Sequence, residues 1–415
     1  QIQGRGREGK GGGERREGKG KGRRRRNPFL LASLWWGKRA IPVRWIHGSM
    51  LPFSSRIAKQ HASVRFIDAC FRGVGQVVFV NNPLSGLLFL LSLSLPSAWT
   101  GEAVYVRSVV AGFAAVMSST LLASLLHFDP ALVQNGMFGY NAYLVGAGVS
   151  TFGRLKYGGG VEEWLSCLFL SILFGLITPI IANALFRTFG SVFGIPHLTL
   201  GFNICLYIFF GIAAVEDGPF YLSFDRGVVN ASSSLYSSTF AAVSSMPANA
   251  SSSGGGSTSL LSDMNITATS IFFASVRGVG QVFFCDDHIS GLLLLFSVFL
   301  SSPLASLYLL AGSAEGTLLS LLLSRFSPSL LTSLISGLAG YNTCLTFAAT
   351  AGIFFVPSLS SFLFSLLSAA TTYLIATSMV RTNMMGSRYP VGTLPFCFAS
   401  LLFITATAGM RRGEK

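Results

Sequence analysis

Apolar positions in this chain are gathered into long blocks separated by short polar breaks. Six blocks run from residue 62 to 215, at about 62–82, 84–99, 103–127, 131–152, 162–188 and 195–215. Six more follow at about 268–285, 289–311, 314–335, 337–356, 358–380 and 388–408. Several are too short, or too rich in Gly, Pro and Asn, to be simple membrane spans of about 20 apolar residues. Broken or re-entrant backbone survives at membrane depth only where protein covers it or it lines a cavity, so one such segment is expected in each set.

The two sets are copies of one unit. Arg72-Gly73-Val74-Gly75-Gln76-Val77 returns as Arg277-Gly278-Val279-Gly280-Gln281-Val282, followed each time by a phenylalanine (Phe79, Phe284) and by Ser-Gly-Leu-Leu, at a constant spacing of 205. Gly139-Tyr140-Asn141 then pairs with Gly340-Tyr341-Asn342 at 201, and Ile195 to Phe202 pairs with Tyr389 to Phe396 at 194, a drift that short loop insertions explain. A period this long is no solenoid; in an apolar chain it reads as two homologous membrane halves.

Residues 216–270, between the halves, are rich in Ser, Gly, Asn and Ala and carry three glycosylation acceptors, Asn230, Asn249 and Asn265. Three sequons in one polar linker favour an extracellular or luminal loop. The ends are basic, residues 1–26 and then Arg411, Arg412 and Lys415, which the positive-inside tendency places in the cytoplasm. With both ends inside and the linker outside, each half crosses an odd number of times: five spans plus one re-entrant piece. Halves with odd span counts are inverted relative to one another, with a site near the midplane. The expected fold is all-α integral membrane, two inverted halves with about ten transmembrane helices and two re-entrant pore helices. Its divisions are 1–61 (basic tail and interfacial segment), 62–215 (first half), 216–270 (loop), 271–408 (second half) and 409–415 (basic tail).

Composition agrees with a membrane protein: 51% of the 415 residues are hydrophobic and only 11% charged, too few to cover a soluble surface. The formal charge of +14 resembles a nucleic-acid signal until it is located, for residues 1–26 alone hold eleven Lys/Arg against three Glu, +8 of the total. That Gly-rich tail reads as solvated and cytoplasmic, or as translated sequence upstream of Met50, rather than as a contact for RNA, anionic lipid or nuclear import. Trp35, Trp36 and Trp45 beside Lys38, Arg39 and Arg44 suit a membrane interface. No nucleic-acid partner is expected. Six cysteines in or beside apolar blocks, without a Cys-x-x-Cys or His/Cys cluster, give neither a disulfide framework nor a metal site.

On this reading no charge lies well inside a span; Asp68, Arg72, Arg277, Asp286 and Asp287 flank apolar runs. The proton relay of an ion-coupled carrier is therefore not expected. Uncharged polar groups are what repeat: Gln76 and Gln281, Asn141 and Asn342, Thr199 and Thr393. That inventory fits a small neutral hydrogen-bonding solute. Pro196 and Pro390, each three residues before a threonine, read as helix starts or breaks, and a two-fold axis would bring Thr199 and Thr393 together. Alternatively, each threonine bonds back to its own helix.

Three runs carry a resemblance: Gly73-x-x-Gln76-x-x-Phe79-x-Asn81-Asn82-Pro83-Leu84-Ser85-Gly86, Gly139-Tyr140-Asn141-Ala142-x-Leu144-Val145-Gly146 and Tyr389-Pro390-x-x-Thr393-x-Pro395-Phe396. They resemble the urea transporter family over residues 62–408. The resemblance implies a passive, channel-like urea facilitator with one pore per protomer, assembled as a homotrimer and needing no cofactor. It assigns Gln76 and Phe79 to one outer site, Gln281 and Phe284 to the other, Met137 and Leu338 as aliphatic partners, and Thr199 and Thr393 to the central constriction. The default location is the plasma membrane, multi-pass, with both termini cytoplasmic.

Three departures stand out. Asn81-Asn82-Pro83 becomes Asp286-Asp287-His288 in the second copy, Gly201 precedes Phe202 where the family has Pro-Phe, and Met137 stands where the family usually has Leu. The aspartates are expected in bulk water at one mouth, since buried carboxylates are costly. His288 and His197 raise a pH gate as a further idea, because histidine titrates near neutrality. The alternatives are a channel for another small neutral solute (ammonia, short amides or water) and a non-conducting homologue blocked at its second copy. An enzyme is not expected: no nucleophile with its base, metal cluster or phosphate loop can be assembled.

Overall fold

The computed structural model describes residues 61–155, 160–213, 220–222, 267–324, 333–382 and 390–408. The tails at 1–60 and 409–415, the three sequon asparagines and Tyr389 lie outside the described residues.

The first half comprises α1 (Ala62–Gly75, continued by a 3-10 turn, Gln76–Val78), α2 (Pro83–Ser94), α3 (Pro96–Thr100), α4 (Val104–Leu125), α5 (Pro130–Gln134), α6 (Gly139–Phe152), α7 (Val161–Leu185) and α8 (Leu200–Ala213). A π-helical stretch, Phe186–Phe193, prolongs α7. Strand β1 (Gly153–Leu155) pairs antiparallel with β2 (Phe220–Leu222), a short ladder between the break that separates blocks 131–152 and 162–188 and the polar loop. The second half has α9 (Ala268–Gln281), α10 (His288–Ser301), α11 (Pro303–Ser324), α12 (Tyr341–Ala348, continued by a π-helical turn, Ala349–Ile353), α13 (Leu359–Arg381) and α14 (Leu394–Ala408). Among the described residues, five helical stretches are long and apolar enough to cross a membrane: Pro83–Thr100, Val104–Leu125, Val161–Phe193, Pro303–Ser324 and Leu359–Arg381. Outward faces such as Leu307, Leu318 and Leu322 on α11 are apolar and exposed, as lipid requires.

Helix starts follow local chemistry. Asn82 Oδ1 accepts from Leu84 N and Ser85 N at 2.9 and 3.3 Å, and Pro83 occupies the first helical position, where its missing N–H costs nothing. Asp287 does the same for α10, accepting from Ser290 N at 2.7 Å. Ser302 accepts from Ala305 N at 3.2 Å ahead of Pro303, so one helix ends at Ser301 and the next begins at Pro303. This corrects the expected blocks 289–311 and 314–335: a proline cannot sit inside a helix without losing a bond, and here it opens one. The shift in register matters, because it puts Glu315 midway along a span rather than at its entrance. The expectation of spans free of ionisable groups fails at that residue.

Equivalent residues of the two copies touch one another reciprocally. Ser85 Oγ donates to Ser297 O at 2.7 Å, and Ser290 Oγ donates to Ser92 O at 2.7 Å. Residue 85 corresponds to 290 and 92 to 297, so each contact is the other with the copies exchanged, as a two-fold axis gives. The start of α2 meets the end of α10 and the reverse, so these equivalent helices run antiparallel.

Candidate functional site

Each residue of the repeated hexapeptide has a structural task. Arg72 is 0% exposed; its Nε meets Asp68 Oδ2 at 2.8 Å, one helical turn back, and one terminal nitrogen donates to Asn81 Oδ1 at 2.8 Å. Gly73 lies against the backbone of Gly136 and Gly139, and Gly278 against Gly337 and Gly340, so a methyl group at Gly73 would strike main chain and one at Gly278 would strike the Ser313 hydroxyl. Gly136 and Gly337 also hold φ of +71° and +77°, which glycine adopts without strain. The next residue in each case is the expected aliphatic partner, Met137 or Leu338. Met137 is half-buried against the core, whereas Leu338 is 44% exposed.

Gln76 Nε2 donates to Asn135 O at 2.9 Å, and Gln281 Nε2 to Ser336 O at 2.8 Å. A carbonyl only accepts, so the amide orientation is settled and each Oε1 is left as an acceptor. Three residues on, Phe79 and Phe284 adopt left-handed backbone, φ 64° and 60°. For a bulky residue this is a strained conformation held only by its surroundings, and such strain gathers at functional positions. Their N–H groups bond to Gln76 O and Gln281 O at 3.0 and 3.1 Å, closing the helix end and turning each ring towards the other half.

There the rings meet aromatic partners in matched pairs. Phe79 lies 6.2 Å from Phe396 and 6.1 Å from Phe354; Phe284 lies 6.3 Å from Phe202 and 5.6 Å from Phe152. The approaches are edge-on or tilted, the favoured geometry for aromatic pairs. Phe202 and Phe396 are themselves equivalents, so the two-fold relation extends through the site.

Between the two aromatic groups lie the threonines. Thr199 Oγ1 and Thr393 Oγ1 are 2.5 Å apart, both buried, so they bond across the copies as well as sitting at their helix starts. The Gly-Tyr-Asn motif holds them there. Tyr140 OH donates to Leu198 O at 2.6 Å and Tyr341 OH to Gly392 O at 2.7 Å, while Asn141 and Asn342 accept from Phe202 N and Phe396 N at 3.0 and 3.3 Å. Leu198 and Gly392 are both left-handed, φ 50° and 56°, which lets the chain turn from extended into α8 and α14 directly at the threonine.

Sequence reasoning overlooked Asn203 and Cys397. Each lies four residues after its threonine, hence on the same helix face, which was the available signal. Asn203 Nδ2 donates to Thr199 O at 2.9 Å and to Thr393 Oγ1 at 3.0 Å, and its Oδ1 accepts from Thr393 N at 3.1 Å. Cys397 Sγ is 3.2 Å from Thr199 Oγ1.

The departing segment also has a definite place. Asp286 is 1% exposed and accepts from Tyr105 OH at 2.8 Å, which corrects the expectation of a carboxylate in bulk water. A phenol donor on a neighbouring helix makes its burial tolerable. Asp287 is the α10 cap, and His288 lies edge-on to Phe273 at 4.9 Å. His197 is buried beside Tyr140, whose hydroxyl is 3.5 Å from its Nδ1. Among the described residues no group of three or more His, Cys, Asp or Glu could hold a metal ion.

Comparison with known proteins matches the urea transporter family model over residues 67–408. Urea transporter 1 of Ovis aries is 30% identical over 373 residues, 89% of this chain and 85% of that protein, and Urea transporter 1 of Capra hircus is 31% identical over the same shares. Urea transporter 1 of Rattus norvegicus is 30% identical, covering 88% of this chain and 83% of its own. The chain belongs to the urea transporter family, a family of membrane transporters.

Proposed function

We propose that this chain conducts urea passively along the contact between its two copies. Gln76, Phe79 and Met137 would line one mouth, Gln281, Phe284 and Leu338 the other, and Thr199 with Thr393 the middle. The observation that carries the reading is the threonine pair, bonded across the copies and flanked on either side by an equivalent Gln–Phe group. Urea is planar: aromatic walls accommodate its faces, glutamine Oε1 atoms accept from its N–H groups, and threonine hydroxyls donate to its carbonyl. An uncharged apolar passage offers an ion nothing in return for its water, so it excludes ions.

The antiparallel packing of α2 on α10 supports an axis in the membrane plane, hence inverted halves of five spans and one re-entrant piece. The sequon-bearing loop then faces the outside, glycosylated, with both termini in the cytoplasm. A plasma-membrane location and a homotrimer with one pore per copy complete the reading, on the strength of the family.

Stopped-flow urea efflux from proteoliposomes tests it, with the wild type, the Thr199→Val/Thr393→Val double variant and empty vesicles side by side. Wild-type vesicles should release urea far faster than empty ones, and the double variant should lose about tenfold or more, equivalent to ~1.4 kcal/mol of barrier. Wild-type vesicles no leakier to urea than empty ones would overturn the reading.

A further inference from the structure

The two-fold relation fails at one point in the centre of the site. Asn203 and Cys397 occupy equivalent positions, four residues after Thr199 and Thr393, yet one is an amide and the other a thiol. Asn203 is 1% exposed, and its amide has a single possible orientation. Its Oδ1 faces Thr393 N–H, which can only donate, and its Nδ2 faces Thr199 C=O, which can only accept. The second Nδ2 proton therefore goes to Thr393 Oγ1, at 3.0 Å.

That bond ends the equivalence of the two hydroxyls. A pair of threonines alone can point either way, each donating to the other by turns. A hydroxyl that already accepts a proton is polarised into the better donor. Thr393 O–H accordingly donates to Thr199 Oγ1, and the Thr199 proton is left at the end of the chain. Among the described residues it finds within reach only Cys397 Sγ, at 3.2 Å, and sulfur is a weak acceptor.

We propose that Asn203 is a positioning residue that fixes the direction of the central hydrogen-bond chain, Asn203 N–H to Thr393 O–H to Thr199 O–H, so that the centre presents one donor, on Thr199, to a solute carbonyl oxygen. The inference rests on the urea pathway above and adds to it a discrimination by acceptor strength. A carbonyl displaces the thiol from the Thr199 proton; a thiocarbonyl, another weak sulfur acceptor, does not.

The test compares efflux of urea and of thiourea from the same proteoliposomes. Asn203→Leu keeps the size and removes both the clamp and the direction. Asn203→Asp keeps the shape but, with no proton to give when ionised, accepts a hydrogen bond from the Thr393 hydroxyl and reverses the chain. Both should lower the urea-to-thiourea ratio by about three- to tenfold, the size of one hydrogen bond lost. Cys397→Ser, a stronger acceptor beside Thr199, should lower the ratio about twofold and Cys397→Ala should raise it. An unchanged ratio in both Asn203 variants, or urea and thiourea falling together in both, would reduce Asn203 to a packing residue and overturn the proposal. Retained thiourea flux with a monodisperse size-exclusion profile reports an intact pathway, which separates lost direction from lost folding. Wild-type vesicles that pass neither solute faster than empty ones would instead sink the urea pathway itself.

Discussion

The two copies solve one problem, a buried guanidinium at the heart of the hexapeptide, in different ways. In the first, Arg72 is neutralised from within its own helix by Asp68, and Asn81 serves as a neutral acceptor. In the second, the position of Asp68 is Phe273 and the position of Asn81 is Asp286, so the carboxylate has moved from one side of the motif to the other. Arg277 meanwhile donates to Ile335 O at 3.1 Å, and Asp286 accepts a hydrogen bond from Tyr105 OH. Each copy keeps a buried arginine and a buried aspartate, Asp68 in the first and Asp286 in the second, at different positions of the motif. The apparent oddity of Asp286 is half of a paired exchange whose other half is Phe273.

The first copy is the place to break this comparison with the largest effect. Arg72→Met leaves Asp68 buried without its partner, and breaking a buried pair on one side costs about 3–5 kcal/mol. The thermal midpoint of the detergent-solubilised protein should fall accordingly, far more than after any exposed substitution. An unchanged midpoint would mean that the Asp68–Arg72 pair contributes nothing to the fold.

The exchange itself can then be undone. Asp286→Asn alone, and Phe273→Asp alone, should each destabilise by about 1–3 kcal/mol, through a buried charge lost or gained without compensation. Combined, they rebuild the first copy's arrangement in the second and should recover part of that loss, a coupling of about 0.5–3 kcal/mol. Strict additivity of the two midpoint shifts would separate the positions and dissolve the pairing argued above.

Glu315 breaks the symmetry in the other direction. Ser313 meets Gly278 and Gly340 as Val116 meets Gly73 and Gly139, so the equivalent of Glu315 on α4 is Ser118, and Glu315 Oε2 is shut away from solvent with no partner among the described residues. Glu315→Val should therefore stabilise the protein by about 1 kcal/mol, the lower end for an unsatisfied polar group because the residue is only partly covered. A lower midpoint in the variant would show that the carboxylate has a partner in the assembled protein.

Much of this was legible because the chain is written twice. The repeat paired Thr199 with Thr393 and Gln76 with Gln281, and the structure brings the threonines into contact. The register of α11 was missed because an apolar run continues through Ser302 and Pro303, and hydropathy does not register that a proline opens a helix instead of lying within it. The left-handed turns at Phe79, Phe284 and Leu198 were not legible at all, since phenylalanine and leucine give no local signal for φ above zero and surrounding contacts impose it. Asn203 was missed for a related reason: its partners are Thr199, one turn away, and Thr393, 190 residues on.

The smallest effect is expected where the sequence departs most visibly. Grafting Asn-Asn-Pro over Asp286-Asp287-His288 would restore the first copy's text at the entrance to α10. The cap survives the graft, because asparagine and aspartate serve equally at that position and proline is welcome at the first helical residue. Tyr105 keeps an acceptor in the new amide. Neither Asp286, held by Tyr105, nor Asp287, engaged with Ser290 N, is among the groups flanking the threonine pair. Urea flux in proteoliposomes should then change by less than about twofold, a shift below the ~1.4 kcal/mol of a tenfold change in rate. A large gain in flux would reverse this reading, making the second copy's carboxylates a plug and the exchange with Phe273 a coincidence.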